Sequence, residues 1–229
     1  MNSARYKIFP LGDNALTIEF GSEISPALND RAVNLAQYLE NNPFPGLIET
    51  VPAYSSLTVF YDVRAVRRAY PENPTAFEAV KNLLEKAHAA FEIRKTENSR
   101  LVRVPVDFSP DCAPDLVWLA NRCGLTAETV VEIFTARRYR VYMLGFMPGF
   151  AYMGEVDERL ATPRKSTPRL RVPKGSVGIA GSQTGIYPFD SPGGWQIIGK
   201  TGFELFTPRA ANPCALAAGD EVEFYQANE

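Results

Sequence analysis

Short β-type runs open the chain. Tyr6 to Phe9 and Ala15 to Phe20 are separated by Gly12, Asp13 and Asn14, which reads as a hairpin. Pro26 heads a stretch whose Leu28, Val33, Leu35, Ala36 and Leu39 recur at helical spacing, and Pro43 and Pro45 stop it. Leu47 to Val51 and Leu57 to Tyr61 predict two more strands around Pro52, and Phe77, Val80, Leu83, Leu84 and Ala87 predict a helix over Thr75 to Phe91. A polar linker, Arg94 to Arg100, precedes a β-rich stretch from Leu101 to Phe108. We therefore expect a small α+β domain over residues 1–95 and a second domain over 96–229.

Two short helices begin that second domain. Pro114 suits a first helical turn and Gly124 a C-cap, which predicts a helix from Asp115 to Cys123. Thr126 caps another, from Ala127 to Ala136, with Leu125 and Val130 at the spacing of a hydrophobic staple. From Tyr139 onward the runs YRVYML, SVGIA, WQIIGKT and EVEFY are separated by Gly and Pro, with no amphipathic helix among them. This pattern predicts a mainly β barrel or sandwich.

Composition narrows the chemistry. The 229 residues are 45% hydrophobic, enough for one large or two small cores. A net charge of -2 gives no overall reason to bind nucleic acid or an anionic membrane, so neither is an expected partner and any basic site must be local. With one histidine, His88, a two-histidine zinc site is impossible, and a Ser-His-Asp or Cys-His pair would have to use His88 itself. His88 lies on the predicted helix and reads as a partly exposed helix residue rather than a base. Cys112, Cys123 and Cys214 form no CxxC pair and suit no closed disulfide framework, which points to a reducing compartment. The N-terminus has no apolar h-region, and the uncharged stretch Val141 to Gly154 is only 14 residues long. A cytoplasmic protein without a metal site is expected.

The segment from Gly145 to Gly199 holds 10 of the 16 glycines and 6 of the 18 prolines. Tight barrel corners explain part of this, but less well the aromatic and polar residues interleaved with them. Concave ligand sites have that mixture, so Gly145, Phe146, Pro148, Gly149, Phe150, Tyr152, Gln183, Tyr187, Pro192, Gly193, Gly194, Trp195 and Gln196 are candidate lining residues. Between Arg159 and Lys174 there are six basic residues and no acidic one. Arg159, Lys165 and Arg171 read as a solvated face. Arg164, Arg169 and Lys174 follow or neighbour the stiffening Pro163, Pro168 and Pro173, and read as a cationic triad for a carboxylate or phosphoryl group. Three loops, Gly145 to Tyr152, Pro163 to Lys174 and Gln183 to Trp195, are expected to converge on one face. No GxxxxGK[ST], no GxGxxG between strand and helix, and no GxSxG is present.

The strings GFMPGFAYMG (Gly145 to Gly154), TPRKSTPRLRVPKGSVGIAGSQTGIYP (Thr162 to Pro188) and SPGGWQIIGKT (Ser191 to Thr201) resemble the signature of the family formed by the B subunits of 5-oxoprolinase. That family includes the sporulation-kinase inhibitor KipI and was long labelled allophanate hydrolase subunit 1. The resemblance implies a cyclophilin-like β-barrel behind a small α+β domain. It also implies subunits A and C as partners in the ATP-dependent opening of 5-oxoproline to glutamate, with ATP as co-substrate of the complex. Such lactam hydrolysis passes through phosphorylation of the amide oxygen, and Arg164, Arg169 and Lys174 would be the catalytic cations. The alternatives it carries are a KipI-type inhibitor docking on a histidine kinase and a subunit of an allophanate or urea-type amidohydrolase. One departure is Phe134, where family members commonly have a His.

Overall fold

The computed structural model describes residues 6–90 and 99–227. They form two compact units, divided between residues 98 and 99. The boundary expected between residues 95 and 96, with most of the linker, lies outside the described residues.

In the first unit the expected hairpin forms from β1 (Lys7–Pro10) and β2 (Ala15–Glu19). The helix predicted from Pro26 is α1 (Pro26–Asn41), followed by β3 (Leu47–Pro52) and β4 (Ser56–Tyr61). Next comes α2 (Val63–Ala69), a helix that the apolar pattern did not reveal, whose Asp62 side chain accepts a bond from the Ala65 N–H at 2.8 Å. The last element is α3 (Ala76–Ala90). The strands form one antiparallel sheet in the order β1-β2-β4-β3. Leu35, Ala36 and Leu39 of α1 and Val80, Leu84 and Ala87 of α3 are buried with Leu16, Ile18, Leu57 and Val59 of the sheet. Burial of each large side chain contributes about 2 kcal/mol, which is why this unit's helices need only one apolar face. His88 is half-buried here, its ring against Tyr6 and Phe20, with Arg31 Nη2 donating to its Nε2 at 3.0 Å. Burial and the Arg31 charge hold its pKa below the ordinary value, so it is a neutral packing residue.

The second unit comprises β5 (Leu101–Val106), α4 (Leu116–Cys123), α5 (Ala127–Thr135), β6 (Arg138–Leu144), β7 (Ala151–Gly154), a single 3-10 turn (Glu158–Leu160), β8 (Arg169–Val172), β9 (Ser176–Ala180), β10 (Gln183–Ile186), β11 (Ser191–Gly193), β12 (Gln196–Lys200) and β13 (Glu221–Gln226). Seven strands make a mixed sheet in the order β12-β9-β10-β7-β6-β13-β5, parallel only between β13 and β5. Asp107 and Lys200 at its two edges exchange backbone bonds of 2.8 and 2.9 Å, so the sheet is a nearly closed barrel. Gly199 permits that closure: a Cβ there would lie 2.5 Å from Val106 Cγ1 and 3.1 Å from the Asp107 carbonyl oxygen. Val104, Val141, Met153, Val177, Ile179, Ile198, Val222 and Phe224 belong to the same core, together with Leu119, Val130 and Phe134 of α4 and α5. Phe134 is fully buried, stacked on Phe224 at 5.0 Å and beside Tyr139, whose hydroxyl donates to the Phe134 carbonyl at 2.7 Å. In this chain position 134 is a core position, with no access for a transferable proton.

Candidate functional site

A second, smaller apolar cluster decides where the site lies. Phe150, Val172, Ala180, Tyr187, Trp195 and Ile197 pack together apart from the main core, where β8 and β11 pair as a separate two-stranded ribbon. Trp195 is 5% exposed and meets Phe150 edge-on at 5.5 Å. Glycines make room for it: a Cβ at Gly178 would come within 3.1 Å of Trp195 Cβ, and one at Gly185 within 3.2 Å of its Cζ3. Gly193 lies so close to the Tyr187 hydroxyl that no Cβ fits.

Above this cluster is a cleft of about 240 Å³. Phe146, Phe150 and Tyr152 come from the first loop, Arg164 and Pro168 from the second, and Tyr187, Pro192, Gly193, Gly194 and Trp195 from the third. The three loops thus contribute to one concave surface. Gly145, Pro148 and Gly149 shape the first loop without lining the cleft; Gly149 has φ +80° and sits against Leu205 and Phe206. Phe146 is the only described non-glycine residue with positive φ, 71°, yet it is 62% exposed. Such a strained residue persists only where its surroundings over-determine it, and it sits at the cleft, edge-on to Phe150 at 5.5 Å. Gln183 pairs with Gly154 and Ala180 inside the sheet and does not line the cleft.

In the strap formed by residues 159–174, Arg164, Arg169 and Lys174 do not form the expected triad. Lys174 Nζ pairs with Glu204 at 2.8 Å and lies outside the cleft lining. Arg169 is drawn beneath, its Nη2 2.7 Å from Asp115 Oδ1. Lys165, expected on a solvated face, joins it: Nζ is 2.9 Å from the same oxygen and 3.3 Å from Gln196 Oε1. Arg159 pairs with Asp157 and Arg171 with Asp190. Among the described residues Arg164 alone of the six has no carboxylate partner, and its guanidinium lies 6.0 Å from the centroid of the Trp195 ring. A desolvated aromatic wall with one unpaired, delocalised cation is suited to a small planar anion.

Asp115 is the functional neighbour that the sequence reading missed. It is 4% exposed, and its Oδ2 also accepts the Ile197 backbone N–H at 2.6 Å. Burial pushes its carboxyl up, but the bonds from Arg169, Lys165 and the Ile197 N–H outweigh this and hold the pKa below the ordinary value. Its partners lie 50, 54 and 82 positions away, so the only local signal was Pro114-Asp115 before a helix. Burial also raises the Tyr187 pKa, which keeps that phenol a neutral hydrogen-bonding group in the cleft wall.

Residues 6–216 match the family model described as carboxyltransferase domain, subdomain C and D. The chain is 46% identical over 228 residues to the B subunit of 5-oxoprolinase from Bacillus subtilis (strain 168), covering 99% of this chain and 95% of that protein. It is 37% identical to the B subunit of 5-oxoprolinase from Escherichia coli O157:H7, covering 98% of both chains. The crystal structure of TTHA0988 superposes with a TM-score of 0.81 at 38% identity, covering 94% of this chain and 40% of that one.

Proposed function

Since this chain belongs to the family of carboxyltransferase domains, subdomains C and D, and within it to the B subunits of 5-oxoprolinase, we propose that it works as the B subunit of an ATP-dependent 5-oxoprolinase. The substrate is 5-oxoproline, a flat five-membered lactam with one carboxylate. Subunits A and C supply the rest of the active assembly, in the cytoplasm, and ATP is the co-substrate.

The observation that carries this reading is the aromatic cleft with Arg164 as its one unpaired cation. The apolar lining of Phe150, Tyr152 and Trp195 suits the ring methylenes, while Tyr187 offers a neutral hydroxyl. Opening the ring requires its amide oxygen to take the terminal phosphoryl group of ATP as ADP leaves; water then adds at the carbon, the ring C–N bond breaks with the amine taking a proton, and a second water releases phosphate from the resulting acyl phosphate to give glutamate. During transfer the negative charge lies on the equatorial phosphoryl oxygens and grows on the oxygen of departing ADP, and a guanidinium placed there is a preorganised stabiliser. Arg164 takes that role in this reading, and Asp115 holds Arg169 and Lys165 in a fixed second row of charge.

Co-purification from the native cell followed by identification of the bound chains tests the reading. Expected companions are subunits A and C, and oxoproline-dependent ATP hydrolysis should appear only when they are present. Robust turnover by this chain alone, or stable isolation with a histidine kinase and no other subunit, would overturn it.

A further inference from the structure

On the other side of Arg164 lies a second depression, about 270 Å³, which the reading above does not use. Its walls are Trp118 and Arg122 of α4, the strap residues Arg164, Lys165, Ser166 and Thr167, and Pro163 and Gln196 beneath. No acidic residue lines it. Lys165 is committed to Asp115, but neither Arg122 nor Arg164 is paired with a carboxylate among the described residues. Trp118 is a large aromatic left 45% exposed, and its only described ring contact is the Arg122 guanidinium, 5.8 Å from the indole centroid. Two unpaired arginines, two hydroxyls and an open indole are an unusual combination. The arginines and hydroxyls fit phosphoryl oxygens, and the indole fits a planar heterocycle. A bare phosphate would leave the indole without a purpose, and an uncharged aromatic would leave the arginines without one.

We propose that the groove between α4 and the strap 163–167 is a binding site for a nucleoside polyphosphate, with the base against Trp118 and the phosphate chain running from Arg122 to Arg164. Because Arg164 lines both depressions, the end of the phosphate chain would meet the small-molecule cleft at that side chain. This inference takes the nucleotide to be the ATP of the reading above. It is tested by binding without turnover, so either can fail without the other.

The chain has two tryptophans, one in each depression, which makes the test direct. In the full chain carrying Trp195→Phe, Trp118 is the sole indole emitter. Titration with ATP should quench its emission saturably. Inorganic triphosphate should compete, and Arg122→Ala should raise the dissociation constant at least about tenfold with an unchanged melting curve. In calorimetry on the otherwise native chain, Trp118→Ala should weaken ATP but leave triphosphate affinity within about twofold. No saturable response to ATP would overturn the proposal. So would equal loss of ATP and triphosphate binding on Trp118→Ala, which would make the groove a plain phosphate site. Saturable binding of an acidic peptide with none of ATP would make it a protein-docking face and overturn the proposal as well.

Discussion

The side chain of Asp115 bonds none of its neighbours in sequence, only residues far along the chain, among them the cations Lys165 and Arg169. Replacing it with Asn removes the charge that holds two half-buried cations, and weakens the bond to the Ile197 N–H. The expected loss is about 3 kcal/mol, measured by urea unfolding at neutral pH, with Arg169 and Lys165 partly relieved by their remaining exposure. Because the folded pKa is lowered, the carboxylate contributes stability fully above its unfolded value, near about 4, and that contribution disappears as pH falls through the folded value. The gap between the native chain and Asp115→Asn should therefore be constant from neutrality down to about pH 5 and shrink below about pH 4. A gap that widened on acidification would contradict this assignment. Trp195→Ala should act differently, costing about 3–5 kcal/mol in a melting experiment and emptying the cleft wall, since the indole packs on Phe150 and over two glycines. Trp195 stands out in its Gly- and aromatic-rich segment, whereas Gly178 and Gly185, against which it packs, read as ordinary barrel corners. Asp115 does not stand out, because its partners meet it only in the folded chain.

At the scale of elements, the sequence reading succeeds where periodicity is long and local. The helices α1, α3, α4 and α5 and the run that became β9 carry their apolar pattern within one segment. It misses α2, whose seven residues bury only Val66, and the short strands β7, β8, β10 and β11, which span three or four residues each. Those strands are defined by their partners across the sheet rather than by their own alternation. Barrel closure is likewise non-local, and Gly199 is its most exposed dependency. Gly199→Ala should destabilise the second unit by about 1–3 kcal/mol in thermal unfolding, because the new methyl meets Val106 and the Asp107 backbone that joins the two edges. Unchanged stability would mean that the Asp107 and Lys200 edges part without cost.

For the whole molecule, the six strap cations look equivalent in the sequence, and folding separates them. Five are neutralised by Asp115, Asp157, Asp190 and Glu204, and among the described residues Arg164 alone of the six has no carboxylate partner. Composition made the positive segment visible, but only the fold tells which charge is spent on structure. In a reconstituted assembly with subunits A and C, oxoproline-dependent ATP hydrolysis of Arg164→Ala and Lys174→Ala is therefore the measurement that bears most directly on the account. Both variants should melt like the native chain, since exposed cations contribute less than about 1 kcal/mol. Arg164→Ala should lose turnover by about 100-fold, equivalent to about 3 kcal/mol of transition-state stabilisation, while Lys174→Ala stays within about twofold. Full turnover by Arg164→Ala, or an equal loss in both variants, would contradict the assignment of the cleft as the reacting site.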